Sequence, residues 1–218
     1  MTATDTAHHE WDAAWRDPAR RAEWETPEPS VIETATALRL RGAETALDLG
    51  AGVGRHALAL ARLGFRTTAL DASASGLALI RDRAEAAGIA LDTVAAPMTA
   101  LPLPDASMDY VLSWNVIYHG DPGIVRAAIA EIARVLKSGG VYQGTMLTLR
   151  NRHFGRGEEI APRTWIDPSA GGDKGHPHFY CDAGELAALF SAFEPLSLVQ
   201  DEHDKPRNWH WRLIAERR

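Results

Sequence analysis

The sequence predicts an α/β protein with a Rossmann-like, doubly wound sheet. Short apolar runs typical of strands alternate with helix-like segments along the first 150 residues or so. A glycine-rich turn, LDLGAGVGRH, joins the first of these strands to the following helix. The 218 residues, 45% of them hydrophobic, are enough to bury the core of one domain.

Each element of this fold has its own local signal. Five strands are predicted, at Thr45–Leu49, Arg66–Leu70, Ala90–Ala95, Met108–Ser113 and Val141–Leu149. The predicted helices that alternate with them are Arg55–Leu63, Ser73–Ala87 and Pro122–Leu136. Such alternation requires crossover connections, so these strands should be parallel, with helices on both faces of the sheet.

The ends of the chain complete the prediction. The segment SVIETATALRLRG should form a helix that ends at Gly42. Near the C-terminus, Asp182 can cap a helix that runs through Phe190, and two strands should follow at Pro195–Val199 and Trp209–Ala215. We therefore expect about seven strands, mostly parallel with an antiparallel last strand.

Composition narrows the class of partner. A net charge of −6 argues against a broad basic surface for nucleic acid, so a small-molecule substrate is expected. The single cysteine, Cys181, fits a reducing compartment. Neither a secretion signal nor an apolar run long enough to span a bilayer is evident, so we expect a cytoplasmic protein with no membrane partner.

The glycine turn predicts a ligand site. Gly50, Gly52 and Gly54 allow a tight turn that brings a ligand close to the amino end of the next helix. The spacing departs from the dinucleotide pattern GxGxxG, because the third glycine comes one residue early. Asp48 precedes the turn, and Asp71 ends the second strand, where a carboxylate can bind both hydroxyls of a ribose.

The segment DLGAGVG and the acid that ends strand two resemble the first motifs of class I S-adenosylmethionine-dependent methyltransferases. The stretches LPLPDASMDYVLSWNVIYH and EIARVLKSGGVYQGTML extend this resemblance over nearly the whole chain. It implies S-adenosyl-L-methionine as cofactor, with contacts from Trp15, Asp48, Gly50, Gly52, Gly54, Arg55, Asp71, Ala72, Met98, Thr99 and Asn115. Pro97 is a departure, since many relatives have an acid there that contacts the adenine amino group.

The resemblance also implies a division of a single domain, residues 1–218. Residues 1–42 would form a helical cover, 43–149 the cofactor-binding core, 150–182 a lid and 183–218 a terminal helix and strand pair. Trp11, Trp15 and Trp24 favour a cover over the cofactor, as in the similar thiopurine and tellurite-resistance methyltransferases. The alternative is that these tryptophans are the buried face of a helix.

Candidate catalytic residues follow the fourth strand in WNVIYHGD, where ligands of open α/β sheets bind. Tyr118 and His119 could face the substrate, and a histidine has a suitable pKa to take a proton from a thiol or hydroxyl. The competing interpretation is that Tyr118 packs in the core and His119 caps the next helix.

The segment from Arg150 to Cys181 lacks periodicity, and a loop of about 30 residues is more often a lid than filler. Its polar donors could fix an anionic substrate: Arg150, Arg152, Arg156, His176, His178 and Tyr180. We take Arg152, His178 and Tyr180 as catalytic candidates, although a solvated loop is the ordinary alternative. The pattern HxHxxC, His176 to Cys181, is not a common zinc spacing and lacks a local fourth ligand, so no metal site is predicted.

The sequence therefore predicts a methyltransferase that acts on a small nucleophile by in-line displacement. A thiol, a chalcogen anion and a small carboxylate are all compatible with the lid. Two alternatives stay open at this point: an RNA-modifying methyltransferase, and a protein that binds S-adenosylmethionine without catalysis. The acceptor and the oligomeric state are not specified by these patterns.

Overall fold

The computed structural model describes residues 6–203 and 205–218. Ten strands lie in this part of the chain: β1 Thr45–Leu49, β2 Arg66–Asp71, β3 Asp92–Ala95, β4 Met108–Ser113, β5 Leu136–Thr148, β6 Glu158–Ala161, β7 Thr164–Ile166, β8 His178–Cys181, β9 Phe193–Glu202 and β10 Trp209–Arg217. Strands β1 to β5 are parallel, in the order β3-β2-β1-β4-β5. The antiparallel pair β10 and β9 continues the sheet beyond β5.

The helices are α1 Ala7–Arg16, α2 Pro18–Arg21, α3 Pro29–Leu40, α4 Arg55–Arg62, α5 Ala74–Ala87, α6 Pro122–Val135 and α7 Ala183–Leu189. The helices cover both faces of the sheet. Successive strand residues point to opposite faces, so neighbouring residues of one strand pack against different helices. In β1, Ala46 packs with α3 and α4, whereas Leu47 lies in the larger core formed with α6 and α7. The doubly wound, mostly parallel architecture expected from the sequence is confirmed.

The segment between β5 and α7 differs from the irregular lid that we expected. It contains an antiparallel hairpin of β6 and β7, and β8 pairs both with β7 and with the end of β5. The hairpin is short and largely exposed, so it lacks the alternation of a half-buried strand, and β8 is buried throughout. Strand β5 also begins at Leu136 rather than Val141, because Leu136 pairs with Met108 before an irregularity in register.

The amino-terminal helices lie over the carboxyl end of the sheet. Asp12 of α1 accepts hydrogen bonds from the Ser73 hydroxyl and from the backbone N–H of Ser75, each at 2.9 Å, at the start of α5. These bonds lower the pKa of Asp12, the Ser75 backbone bond most strongly. Among the described residues, the structure contains no helix with the length and apolar character that crossing a membrane requires.

Candidate active site

A cavity of about 910 Å³, including its open mouth, lies at the carboxyl ends of β1, β2 and β4. Its position is the one where open parallel sheets bind ligands, beside the glycine turn. The predicted site residues that line it are Trp15, Gly50, Gly52, Arg55, Asp71, Ala72, Met98, Asn115 and His119.

The glycine turn allows close packing at the base of the cavity. Gly50, Gly52 and Gly54 all have positive φ, a conformation that residues with side chains rarely adopt. A Cβ atom on Gly50 would collide with the side chain of Val116, and one on Gly52 would lie 3.0 Å from Cζ2 of Trp15. Gly54 is the N-cap of α4 and packs under Ile80, outside the cavity wall.

We expect Gly50→Ala to destabilise the fold more than Gly139→Ala, by about 1 kcal/mol or more. Both glycines have positive φ, +73° and +75°, but a Cβ on Gly139 would meet open space. The comparison therefore isolates the collision with Val116. Urea denaturation of both variants measures the difference in free energy of unfolding. Equal losses of stability would contradict the close approach of Gly50 to Val116.

Asp71 closes the turn from the neighbouring strand. Its carboxylate accepts hydrogen bonds from the backbone N–H of Gly52 at 2.7 Å and of Ser73 at 2.8 Å. Burial raises the pKa of Asp71, and the two backbone bonds oppose that rise. Each carboxylate oxygen can accept further bonds, so Asp71 can still bind a diol from the cavity side.

Asp48, the acid before the turn, does not line the cavity. It is 2% exposed, and burial raises its pKa to about 7 against a hydrogen bond from the Ala57 backbone. Its Oδ2 atom has no hydrogen-bond partner among the described residues. The structure therefore places Asp48 beneath the turn, and a direct contact with a ligand is not part of this arrangement.

The amino-terminal tryptophans form one wall of the cavity. Trp11 stacks on Trp15 with ring centroids 4.9 Å apart, and Trp24 meets Trp11 edge-on at 5.3 Å. The Trp15 ring is 7% exposed, and its indole N–H has no partner among the residues the structure describes. The two interpretations of this segment are thus compatible, since the buried helix face is also the aromatic wall.

The opposite wall follows β4. Asn115 adopts a positive φ of 60°. Its backbone N–H donates to the Thr145 hydroxyl at 2.8 Å, and that hydroxyl donates to the side-chain oxygen of Asn115 at 2.9 Å. His119 lies one turn further on, where its ring reaches the cavity. It does not cap α6, because the Asp121 carboxylate accepts the bonds from Gly123 and Ile124.

His119 also begins a cluster behind the cavity. Its Nδ1 atom lies 2.9 Å from Nε2 of His176, and His178 lies 3.1 Å from the Asp173 carboxylate. Burial lowers the pKa of His119 well below its usual value and that of His176 to about 3. These imidazoles are therefore neutral at physiological pH.

The remaining predicted site residues lie outside the cavity wall. Tyr118 is buried in the core, and Tyr180 is buried beside Phe154. Arg152 is exposed at the surface, where its Nε donates to His153 at 3.1 Å. Thr99 is also absent from the wall, whereas its neighbour Met98 is present. Of the three catalytic candidates predicted in the lid, His178 therefore lies beside His119, whereas Tyr180 and Arg152 do not.

The polar residues predicted for the lid do not form one site in the structure. The Arg150 guanidinium stacks on the Trp209 ring at 3.9 Å, and Arg156 is exposed. Cys181 is buried with its thiol directed at the Leu147 carbonyl, and burial raises its pKa.

Sequence reasoning missed two acids, Asp12 and Asp173. Asp12 acts through a tertiary contact with Ser73 and Ser75, and Asp173 lies in a short 3-10 helix, Gly172–Gly175, without a motif.

The strand order, the positive-φ glycine turn and the acid at the end of β2 together match the arrangement that the sequence resemblance implies. Comparison with known proteins agrees: residues 46–140 match the family model described as a methyltransferase domain. The resemblance inferred from DLGAGVG is confirmed at the level of this domain and fold.

Two curated relatives of one kind illustrate the match. The ubiquinone biosynthesis O-methyltransferase of Paramagnetospirillum magneticum is 36% identical over 103 residues, which are 47% of this chain and 40% of that protein. A second such enzyme, from Methylocella silvestris, is 38% identical over 73 residues. The chain thus matches well under half the length of these curated relatives, 40% and 28%.

Solved structures share the fold over most of the chain. The PH0226 protein of Pyrococcus horikoshii has a TM-score of 0.70 at 19% identity, covering 94% of this chain and 93% of that one. The 1,6-didemethyltoxoflavin-N1-methyltransferase of Burkholderia thailandensis, solved with S-adenosylhomocysteine, has a TM-score of 0.68 at 20% identity, covering 96% and 86%. TehB of Haemophilus influenzae scores 0.65 at 18% identity, covering 88% and 63%.

Proposed function

We propose that this protein transfers a methyl group from S-adenosylmethionine to a small nucleophile. The observation that carries the proposal is the position of Asp71 beside the glycine turn, on the wall of the cavity. The matched methyltransferase domain, residues 46–140, supports the same class of activity. A net charge of −6 favours a small acceptor over RNA, which would need a basic surface.

The cavity fits this cofactor in two respects. The positive-φ turn presents backbone without side chains to the cavity, and a Cβ at Gly50 would collide with Val116, so no side chain fits at this point of the turn. Trp15 and Trp114 add large apolar surfaces to the same wall, while their indole N–H groups are buried without partners among the described residues.

We assign Asp71 to the ribose hydroxyls, Met98 to the adenine side and Asn115 to the amino-acid side. When bound, S-adenosylmethionine supplies an electrophilic methyl group on a sulfonium centre. The chain itself contributes positioning and exclusion of water, which can supply much of the acceleration of such a displacement. The tryptophans form one wall of the site, and we assign His119, on the opposite wall, to the acceptor side.

Replacement of Asp71 by alanine is expected to weaken S-adenosylmethionine binding by about 2 kcal/mol, roughly 30-fold in Kd, as for lost hydrogen bonds to a charged group. Isothermal titration calorimetry measures this directly. Asp92→Ala is the matched control, because Asp92 is an exposed aspartate at the start of the adjacent strand β3. Equal affinities of the Asp71 variant and the wild type would remove the ribose assignment.

The transfer itself is tested by a screen of acceptors. Purified protein is incubated with S-adenosylmethionine and a panel of thiols, chalcogen anions and small carboxylates, and release of S-adenosylhomocysteine is followed. The proposal expects turnover with at least one of these classes. Tight cofactor binding with no turnover on any small molecule, but turnover on RNA, would instead support the RNA-modifying alternative.

A further inference from the structure

Four side chains with metal-ligating atoms meet behind the cavity: His119, Asp173, His176 and His178. One ligand atom from each lies within 4.8 Å of all the others. The three histidines are buried and Asp173 is partly buried. His119 belongs both to this cluster and to the cavity wall, so the cluster adjoins the proposed acceptor site.

The hydrogen bonds of two rings fix where their protons are. Nε2 of His119 lies 3.1 Å from the carbonyl oxygen of Asn115, and Nδ1 of His178 lies 2.8 Å from the carbonyl oxygen of His176. A carbonyl can only accept, so each of these nitrogens donates. In a neutral imidazole the other nitrogen is then a lone pair, and here Nδ1 of His119 and Nε2 of His178 face the cluster.

This arrangement is the one that metal-ligating histidines show, with the outer nitrogen donating to a backbone carbonyl. The spacing of the inner atoms also fits. The pair His119–His176 is separated by 2.9 Å and the pair His178–Asp173 by 3.1 Å. Ligands of a tetrahedral ion with bonds of about 2.0–2.1 Å lie roughly 3.3 Å apart, so small movements bring all four into range.

The positively charged side chain of Lys174 also contacts the cluster. Its Nζ atom lies 3.0 Å from Nε2 of His178 and 3.0 Å from an oxygen of Asp173. The lone pair of His178 and the carboxylate therefore already attract positive charge. A metal ion would take over this contact and turn the lysine side chain towards solvent, so the ion and Lys174 compete.

We propose that His119, Asp173, His176 and His178 bind a divalent first-row transition-metal ion, with Zn²⁺ as the first candidate. Three imidazoles and one carboxylate are a ligand set that suits zinc. The inference extends the proposed function only in placing this ion beside the acceptor site: four protein ligands complete a tetrahedral shell, so the ion would act by fixing the His119 ring at the cavity wall. The metal site itself does not depend on that function.

The test uses the full chain, purified without a histidine tag. Zinc bound after dialysis against trace Zn²⁺ is measured by mass spectrometry, and Zn²⁺ affinity by competition with a chromogenic chelator. We expect one zinc per chain. Both His178→Ala and His178→Gln should weaken binding by about 100-fold or more, since even outer partners contribute about 10- to 100-fold. His153→Ala is the control, as His153 lies in the same segment but outside the cluster.

Lys174→Met provides the opposing test. If the ion and the lysine compete, this variant binds Zn²⁺ as tightly as the wild type or more tightly. Three results would overturn the metal site in favour of a hydrogen-bonded cluster. They are weaker Zn²⁺ binding in Lys174→Met, no zinc in the wild type, and equal Zn²⁺ affinities in the wild type and both His178 variants. Calorimetry with S-adenosylhomocysteine on zinc-free protein tests the cofactor site separately, so failure of either proposal is recognised by itself.

Discussion

His119→Ala is expected to lower turnover by about 100-fold or more, while the Kd for S-adenosylmethionine changes much less. The lower bound is typical of the loss of a group that positions a reactant at the reacting centre. His119 lines the cavity, but its Nε2 donates to the Asn115 carbonyl and its Nδ1 faces His176, so we assign it to holding the acceptor in position rather than to taking up a proton. Steady-state kinetics and calorimetry on the same preparation measure the two quantities.

His119→Gln is the companion variant, since glutamine keeps a polar atom that can donate to the Asn115 carbonyl. A merely structural histidine would be rescued by this change, whereas a residue that contacts the acceptor or a metal ion would not. Equal losses of affinity and turnover in His119→Ala, restored together in His119→Gln, would contradict the assignment. His153→Ala should match the wild type in both measurements.

Asp48→Asn is expected to stabilise the protein increasingly as the pH rises from about 4 to 7. The pKa of Asp48 is raised to about 7 in the folded protein, chiefly by burial, against an ordinary value of 3.8. Over this window the unfolded chain releases the proton while the folded protein keeps it. Folding therefore takes up a proton, and wild-type stability falls with pH by up to about 1.4 kcal/mol per pH unit.

Asparagine removes this dependence, because it carries no ionisable proton and its oxygen can still accept from the Ala57 backbone. The difference in free energy of unfolding between variant and wild type should rise between pH 5 and pH 7, then level off. Urea denaturation at each pH gives the values. Thr68→Val, a buried change on β2 without a titrating group, should show a constant difference. A constant difference for Asp48→Asn as well would contradict the raised pKa.

The central strands could be predicted because their signals are local. The segments Thr45–Leu49 and Met108–Ser113 have the same bounds in sequence and structure, since each is a buried apolar run that ends at turn residues. The capping box of α7 at Asp182 is local in the same way. The hairpin of β6 and β7 could not be predicted, because its stability depends on pairing with β8 rather than on its own pattern.

The candidate site was only partly predictable for the same reason. The glycine turn and Asp71 follow strands in a fixed order, so sequence places them together. The cluster of His119 with His178 depends on a tertiary contact, in which the backbone N–H of Phe179 donates to the Tyr118 carbonyl at 2.8 Å. Nothing in the spacing of HxHxxC shows that a histidine some sixty residues earlier and an aspartate in a short 3-10 helix complete the group.

A crystal structure of the wild-type protein with S-adenosylhomocysteine tests the central claim most directly. We predict that the nucleoside lies in the cavity at the carboxyl ends of β1 and β2, with its ribose hydroxyls hydrogen-bonded to the Asp71 carboxylate. Nucleoside bound elsewhere, or a ribose that makes no contact with Asp71, would contradict the account.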